Sequence, residues 1–401
     1  MVHLVGQDLP AQELERNEVT IVQRRLTHYR VPFFEALRHG LKERGIRLRV
    51  LYGTTNSIEA EKNDSGHLEW GEVVQTHYFL GGRICWQDFG PLTYASDLVI
   101  ITQENKLVSN HWHLVAPRQY RLAFWGHGAN FQAQDSQSLR ERFKRWTTNR
   151  VDWWFAYTDL SADLVAARGF PRNRISTVDN AVDTAQMRKW AQEISEEETR
   201  ALRQGLGIED ALIGVFVGSL YADKRLDFLF AAAQAIRIEI PGFCLLIIGD
   251  GPERQKVQAW CQKHSWVHWV GARFDREKVA YLSMAQVMVN PSLVGLGILD
   301  SFVTGVPMAT TNERGHGPEI VYLCHGVNGI MTTNEVRAYS AAVVALLRDE
   351  GARAQLRAGC HESGDRYTLE NMVQRFAEGI ATCLQSPRYD RKGIEWPASQ
   401  G

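Results

Sequence analysis

The chain has 401 residues, too long for one ordinary core and suited to two domains of about 200 residues each. Apolar residues make up 44% and charged residues 23%, a globular balance that excludes disorder as the main state. Lys and Arg number 45 against 46 Asp and Glu, a net charge of -1, which argues against a nucleic-acid partner.

No apolar run reaches the roughly 18 residues of a membrane span. The first residues lack a charged start followed by an apolar stretch, so no secretory leader is expected. The six cysteines (Cys85, Cys244, Cys261, Cys324, Cys360, Cys383) form no CxxC pair. That spacing argues against zinc and for a reduced, cytoplasmic setting. The 12 tryptophans are numerous; such rings stack on sugars and bases, and they also fill cores.

Residues 1–18 are polar and expected to be loose. Residues 19–23 (VTIVQ) read as a strand, RRLTHYR as a loop, and 31–44 as a helix with Phe33, Phe34, Leu37 and Leu41 on one face. Further strands are expected at 46–53, 97–103, 120–126 and 151–158, each followed by a helix-like stretch. Residues 195–208 form a charged helix ending in Gly, read as a linker. The alternation then restarts, with strands at 213–219, 243–251, 267–271 and 287–292 and a helix at 226–237. A last helix at 370–386 precedes a polar tail. Strand–helix alternation with continuously apolar strands implies an α/β fold with parallel sheets covered on both faces. The expected division is a first domain over 19–194, the linker, a second domain over 209–365, a helix at 366–386 returning to the first domain, and a tail at 387–401. Two doubly wound domains place a cleft between them, and ligands bind outside the carboxyl ends of the strands.

The richest stretch is PSLVGLGILDSFVTGVPMATT at 291–311. Gly295 and Gly297 allow close backbone approach, and the N–H groups of Gly295, Leu296, Gly297 and Ile298 precede a helix, an arrangement that suits a phosphate. Asp300, about one turn into that helix, is either a ligand for ribose hydroxyls or an acid favoured by the helix dipole. Upstream, Gly218 and Ser219 end a strand, and Lys224 and Arg225 follow on a loop: a diphosphate site or a solvated charge pair. Gly249-Asp250-Gly251-Pro252 makes a tight turn. His316 and Glu319 follow the strand-like MATT, with Glu319 either a first-turn carboxylate or a cleft-facing one. In the first domain His127 sits between two glycines, open either to a substrate or only to solvent. Arg24, Arg25, His28, Tyr29 and Arg30 form a polar, aromatic mouth at the first strand's end, read as an acceptor side or as a solvated loop. Residues 139–150 mix Arg140, Lys144 and Arg145 with Phe143 and Trp146, a pattern that suits either peripheral contact with anionic lipid or a solvated helix.

Taken in order, these pieces resemble the family 4 glycosyltransferases of the GT-B fold. The resemblance covers nearly all of 19–385 and is densest from 213 to 331. It rests on Gly218-Ser219 with Lys224, Gly249-Asp250-Gly251-Pro252, the run from Gly295 through Asp300 to Gly305-x-Pro307, Gly315 to Val321, and Gly326-Val327-Asn328-Gly329. ISTVDNAVDT at 175–184 resembles the family's segment entering the second domain.

The resemblance implies transfer of a sugar from a nucleotide diphosphate sugar, with retention at the anomeric carbon, no metal and no further cofactor. The second domain would hold the nucleotide and the first a saccharide or lipid-linked acceptor, in a cytoplasmic protein at most peripheral to the inner face of a membrane. Carried across, Lys224 would meet the diphosphate, Asp300 the ribose, and His127 the donor sugar or the β-phosphate side. This sequence departs from the pattern at Ser219, where the family has a phosphate-binding Arg. It departs again at the first Glu of the Glu–seven residues–Glu motif, where Ser292 stands eight residues before Asp300. Arg225 and the backbone N–H groups of Gly295 to Ile298 are the expected substitutes, and Glu319 is the residue expected to orient the sugar. Two alternatives follow: a GT-B protein that binds a nucleotide sugar or a partner without turnover, and another GT-B activity such as an epimerase. A dinucleotide dehydrogenase is disfavoured, because no G-x-G-x-x-G loop follows the first strand.

Overall fold

The computed structural model describes residues 17–55, 64–128, 139–313 and 315–389. The first sheet is built from β1 (Asn17–Gln23), β2 (Ile46–Gly53) and β3 (Glu72–Val74). A hairpin follows, β4 (Thr76–Phe79) and β5 (Ile84–Gln87), and then come β6 (Leu98–Thr102), β7 (Arg121–Gly126), β8 (Trp153–Ala156) and β9 (Ile175–Thr177). The hairpin stands apart as an antiparallel pair, and the seven other strands run parallel in the order β3-β2-β1-β6-β7-β8-β9.

The second sheet uses β10 (Leu212–Val217), β11 (Phe243–Ile248), β12 (Val267–Trp269), β13 (Val287–Val289), β14 (Met308–Thr311) and β15 (Gly329–Thr332). These strands are parallel in the order β12-β11-β10-β13-β14-β15. The fold is α/β with two Rossmann-like sheets, the GT-B arrangement.

The sequence dictates this layering directly. Every residue of β6 (LVIIT) and β11 (FCLLII) is buried, as a strand covered on both faces requires. Along β1, Val19 and Ile21 enter one core and Val22 the other. Helix Val31–Lys42 buries Phe33, Phe34, Leu37 and Leu41 as its periodicity predicts. The chain's last described helix, Leu369–Gln385, crosses back onto the first sheet. Its Phe376 stacks on Phe155 at 4.3 Å and meets Trp125 and Phe33 edge-on at 5.0 and 5.4 Å. Helix Glu196–Leu206 starts at a Ser195 cap and stops at Gly207 in the left-handed region, φ 67°.

One expectation changes. Asn17 and Glu18, expected in the loose N-terminus, open β1, because they pair with Ile46 and Arg47, the Glu18 carboxylate binds Arg49, and the Glu18 backbone N–H donates to the Asp97 carboxylate. The tail begins docked: the Tyr389 ring packs on Phe170 and its amide binds Asp152. Residues 1–16 and 390–401 lie outside the described residues.

Candidate functional site

The carboxyl ends of β10, β13 and β14 form the rim of the second sheet. After β10 the chain turns at Gly218, and Gly249 at the end of β11 comes so close that a Cβ on it would lie 1.9 Å from the Gly218 carbonyl oxygen. Only glycine allows that approach. The half-buried Lys224 side chain passes over Gly218, and its ammonium meets no hydrogen-bond or ion-pair partner among the described residues. Ser219 beside it is likewise unengaged through its hydroxyl.

Arg225 behaves differently. In the left-handed region at φ 52°, it turns its guanidinium onto the Pro291 carbonyl (2.9 Å), the Asn334 side chain (2.6 Å) and the Glu313 carboxylate (3.4 Å). It clamps the loops after β10, β13 and β14 together. The cation expected to stand in for the family Arg is held by protein partners.

The loop after β13 is pinned by His316. The Val294 N–H donates to His316 Nδ1 at 2.9 Å, so Nε2 carries the proton and donates to the Thr311 carbonyl at 2.8 Å. Burial holds this imidazole below its ordinary range, which keeps the tautomer neutral. Beyond the pin, a Cβ on Gly295 or Gly297 would meet nothing within 4 Å. The N–H groups of Gly295, Leu296 and Gly297 find no acceptor among the described residues, whereas Ile298 N–H donates to the Gly295 carbonyl. Asp300 lies in the first turn of helix Ile298–Thr304, but its two carboxylate oxygens take the Lys278 ammonium at 3.0 and 2.9 Å. Lys278 was not a candidate in the sequence, since it lies on another helix, Asp275–Ser283.

Between the two sheets lies a buried polar relay. Arg30 Nη2 donates to Asn180 Oδ1 at 2.6 Å, and Asn180 Nδ2 donates to Glu319 Oε1 at 2.6 Å. The Tyr322 hydroxyl donates to the Asn180 carbonyl at 3.2 Å. Arg30 is 7% exposed and Glu319 4%. Burial raises the Glu319 carboxyl above the usual range, against the pull of Asn180 and Arg30.

This corrects the reading of Arg30 as part of an open mouth: its guanidinium sits over the Trp125 ring at 5.2 Å and faces inward. Its neighbours divide. Arg25 is locked in a bidentate pair with Asp64 (2.5 and 2.9 Å), His28 leans on the Asp64 carbonyl, and Tyr29 is exposed at the entrance. Asn180 lies in VDNAVD, a segment recognised in the sequence as the entry to the second domain and given no role there.

His127 follows β7 and presents an exposed face to the cleft. Its other face meets the Tyr157 ring edge-on at 4.5 Å. Protein packed around it, and secondarily the Arg30 charge, hold this imidazole below its ordinary range. Tyr157 is pushed up to about 12 by burial, with Arg30 pulling the other way. The structure therefore brings His127, Arg30 and Glu319 to one end of both sheets. The helix Leu139–Thr148 lies elsewhere: Phe143 packs against His111 at 5.3 Å and stacks with Trp146. Among the described residues no three His, Cys, Asp or Glu side chains gather into a metal set, and no helix is long and apolar enough to cross a membrane.

With two parallel sheets facing one cleft and a glycine-rich rim on the second, the architecture is that of the GT-B proteins. Residues 211–349 match the family model described as Glycosyl transferases group 1. The chain is 27% identical over 201 residues (47% of this chain, 21% of the relative) to an exopolysaccharide phosphotransferase of Streptomyces coelicolor. It is 30% identical over 150 residues (36% of each chain) to a glycogen synthase of Mycobacterium tuberculosis. It thus spans well under two thirds of these curated relatives. Among solved structures, Anabaena HepE in complex with UDP superposes with a TM-score of 0.66 at 16% identity, covering 91% of this chain and all of that one.

Proposed function

We propose that the protein is a retaining glycosyltransferase that moves a sugar from a nucleotide diphosphate sugar to a saccharide or lipid-linked acceptor in polysaccharide or glycan biosynthesis. The observation that carries this reading is the second-sheet rim. Among the described residues Lys224 meets no protein partner there, and the Gly295, Leu296 and Gly297 N–H groups of the loop beside it have no acceptor. Cations and fixed N–H donors stabilise the charge that builds on a departing diphosphate, with no proton transfer required. The group 1 match over this domain supports the reading, as does the UDP held by a protein of the same fold. His127, across the cleft, would hydrogen-bond the donor sugar; its exposed position and its lowered, neutral imidazole support this role. Tyr29 at the entrance, with His28 and Arg25 behind it, forms the acceptor side. Retention and metal independence rest on the family resemblance. We place the protein in the cytoplasm, in peripheral contact with the inner face of a membrane through 139–150.

Thermal shift against UDP, GDP, dTDP and ADP sugars tests the donor. A ligand at 100 times its Kd stabilises the folded state by about 2.7 kcal/mol. One nucleotide standing out is expected, with Lys224→Ala removing the shift and leaving the unliganded melting temperature unchanged. A Lys224→Ala enzyme with intact donor turnover would sink the assignment. One observation favours the non-catalytic alternative: Asp300 and Arg225 are both engaged by protein partners. Nucleotide-sugar binding without turnover across an acceptor panel is its signature.

A further inference from the structure

Behind the glycine-rich rim, helix Ile298–Thr304 ends against the long helix Glu350–Arg366 and against helix Ala185–Glu193. Gly305 caps that end in the left-handed region, at φ 65°. A Cβ there would lie 2.6 Å from His361 Nε2 and 2.8 Å from Arg357 Cγ, so two side chains of the long helix lie directly over the cap. They border a cavity of about 640 Å³ that Arg188, Ser283, Thr304 and Asp365 also line.

The charges around this cavity differ in what holds them. Arg188 donates to the Asp365 carboxylate and to the Gly364 carbonyl, the latter at 2.9 Å. Asp365, the one acid among the described lining residues, is thereby neutralised. Arg357 and His361 are exposed, and among the described residues neither meets a hydrogen-bond or ion-pair partner. Four positions apart on one helix, they share a face. Burial, then the Arg357 and Arg188 charges, hold the His361 imidazole below its ordinary range, so one field reaches all three groups. A phosphate suits the free guanidinium, which can donate to two of its oxygens. The facing wall is a helix end. Its last carbonyls lack helical partners and accept from hydroxyl groups, while its dipole repels an anion placed directly on it. The two walls together select a molecule with a phosphate at one end and hydroxyls at the other.

We propose that this cavity binds a small phosphorylated polyol, with Arg357 and His361 on the phosphate and the end of helix Ile298–Thr304 on the hydroxyls. The position has a consequence. Thr304 ends the helix that carries Asp300 in its first turn, and Ser283 ends the helix that carries Lys278. The two helices joined by the Lys278–Asp300 ion pair thus both reach the cavity at their far ends, about 10 Å of helix from the rim. An occupant that binds only the packed arrangement of these ends suppresses their opening. The site stands apart from the transferase reading; only an effect on donor binding would rest on it.

Calorimetric titration of the full chain with ribose 5-phosphate, inorganic phosphate and ribose tests the site. Ribose 5-phosphate is expected to bind, inorganic phosphate about tenfold more weakly, and ribose not at all. Arg357→Ala and His361→Ala should each weaken ribose 5-phosphate about tenfold and keep the wild-type melting temperature. Lys224→Ala should bind it as the wild type does. At about ten times its Kd, ribose 5-phosphate should slow amide hydrogen exchange in 275–283 and 298–304 about tenfold. The proposal is overturned if ribose 5-phosphate does not bind, if Arg357→Ala binds it undiminished, or if inorganic phosphate or ribose matches it. Loss of binding in Lys224→Ala would place the probe on the rim and equally overturn it, and unchanged exchange in both helices would remove the brace. Failure of the donor reading would show separately, as a protein that binds ribose 5-phosphate and responds to no nucleotide sugar.

Discussion

The Asn180 side-chain amide donates to the buried Glu319 carboxylate at 2.6 Å and so joins the strand exit of the first sheet to the rim of the second. Its other face accepts from Arg30. One neutral amide thereby spaces a buried cation from a buried acid.

Glu319→Ala leaves the Asn180 Nδ2 without its acceptor and should destabilise by about 1–3 kcal/mol. Glu319→Gln keeps an acceptor and should cost much less. The raised carboxyl sets a sign: the folded state holds its proton to higher pH than the unfolded chain. The stability it contributes is therefore present at low pH and lost as pH rises through the folded value. Urea unfolding at about pH 5 and about pH 8 should show Glu319→Gln gaining on the wild type at the higher pH.

Asp300 is read both as a ribose ligand and as the partner of Lys278. A double-mutant cycle separates the roles. Asp300→Ala and Lys278→Met should each destabilise, with a coupling of about 0.5–3 kcal/mol between them. Asp300→Ala should also abolish the nucleotide-sugar shift, and Lys278→Met should retain it. Equal loss in both variants would leave Asp300 a structural residue only.

His316→Ala strips partners from the Val294 N–H and the Thr311 carbonyl together. A loss of about 2–4 kcal/mol is expected. Because the same imidazole pins the loop carrying Gly295 and Gly297, donor affinity should fall in a melting-temperature titration. An unchanged affinity would mean the loop holds its shape without the pin.

Acid should unfold this protein early. Burial lowers His111, His113, His268 and His316, with His113 down to about 4. Each binds a proton more readily in the unfolded chain, so stability is lost as pH falls below about 6.5 towards the folded values. A melting series across that range should slope downward, and His113→Gln should flatten part of it. A flat wild-type profile would contradict the burial of these rings.

The long strands, their parallel sense and the two-sheet plan were legible because continuous apolar runs such as LVIIT and FCLLII can be satisfied only inside a covered sheet. The shorter elements were not. β4 (THYF) has no fully buried residue, and β9 (IST) is too short to show a period. The glycine-rich rim could be located from Gly218, Gly295 and Gly297, since a turn leaves its mark in residue type.

What a charged side chain does was decided elsewhere. Lys224 and Arg225 are adjacent, yet the left-handed backbone at Arg225 throws its guanidinium onto Pro291, Asn334 and Glu313 while Lys224 stays over Gly218. Arg30 stands among polar loop residues in sequence and is buried in space. Asp300 meets a lysine 22 positions away. Local sequence determined the elements and the glycine turns, because these depend on burial period and backbone freedom. Tertiary structure alone decided which charges are paired and which remain open to a ligand, because Coulomb and hydrogen-bond energies depend on through-space distance and dielectric.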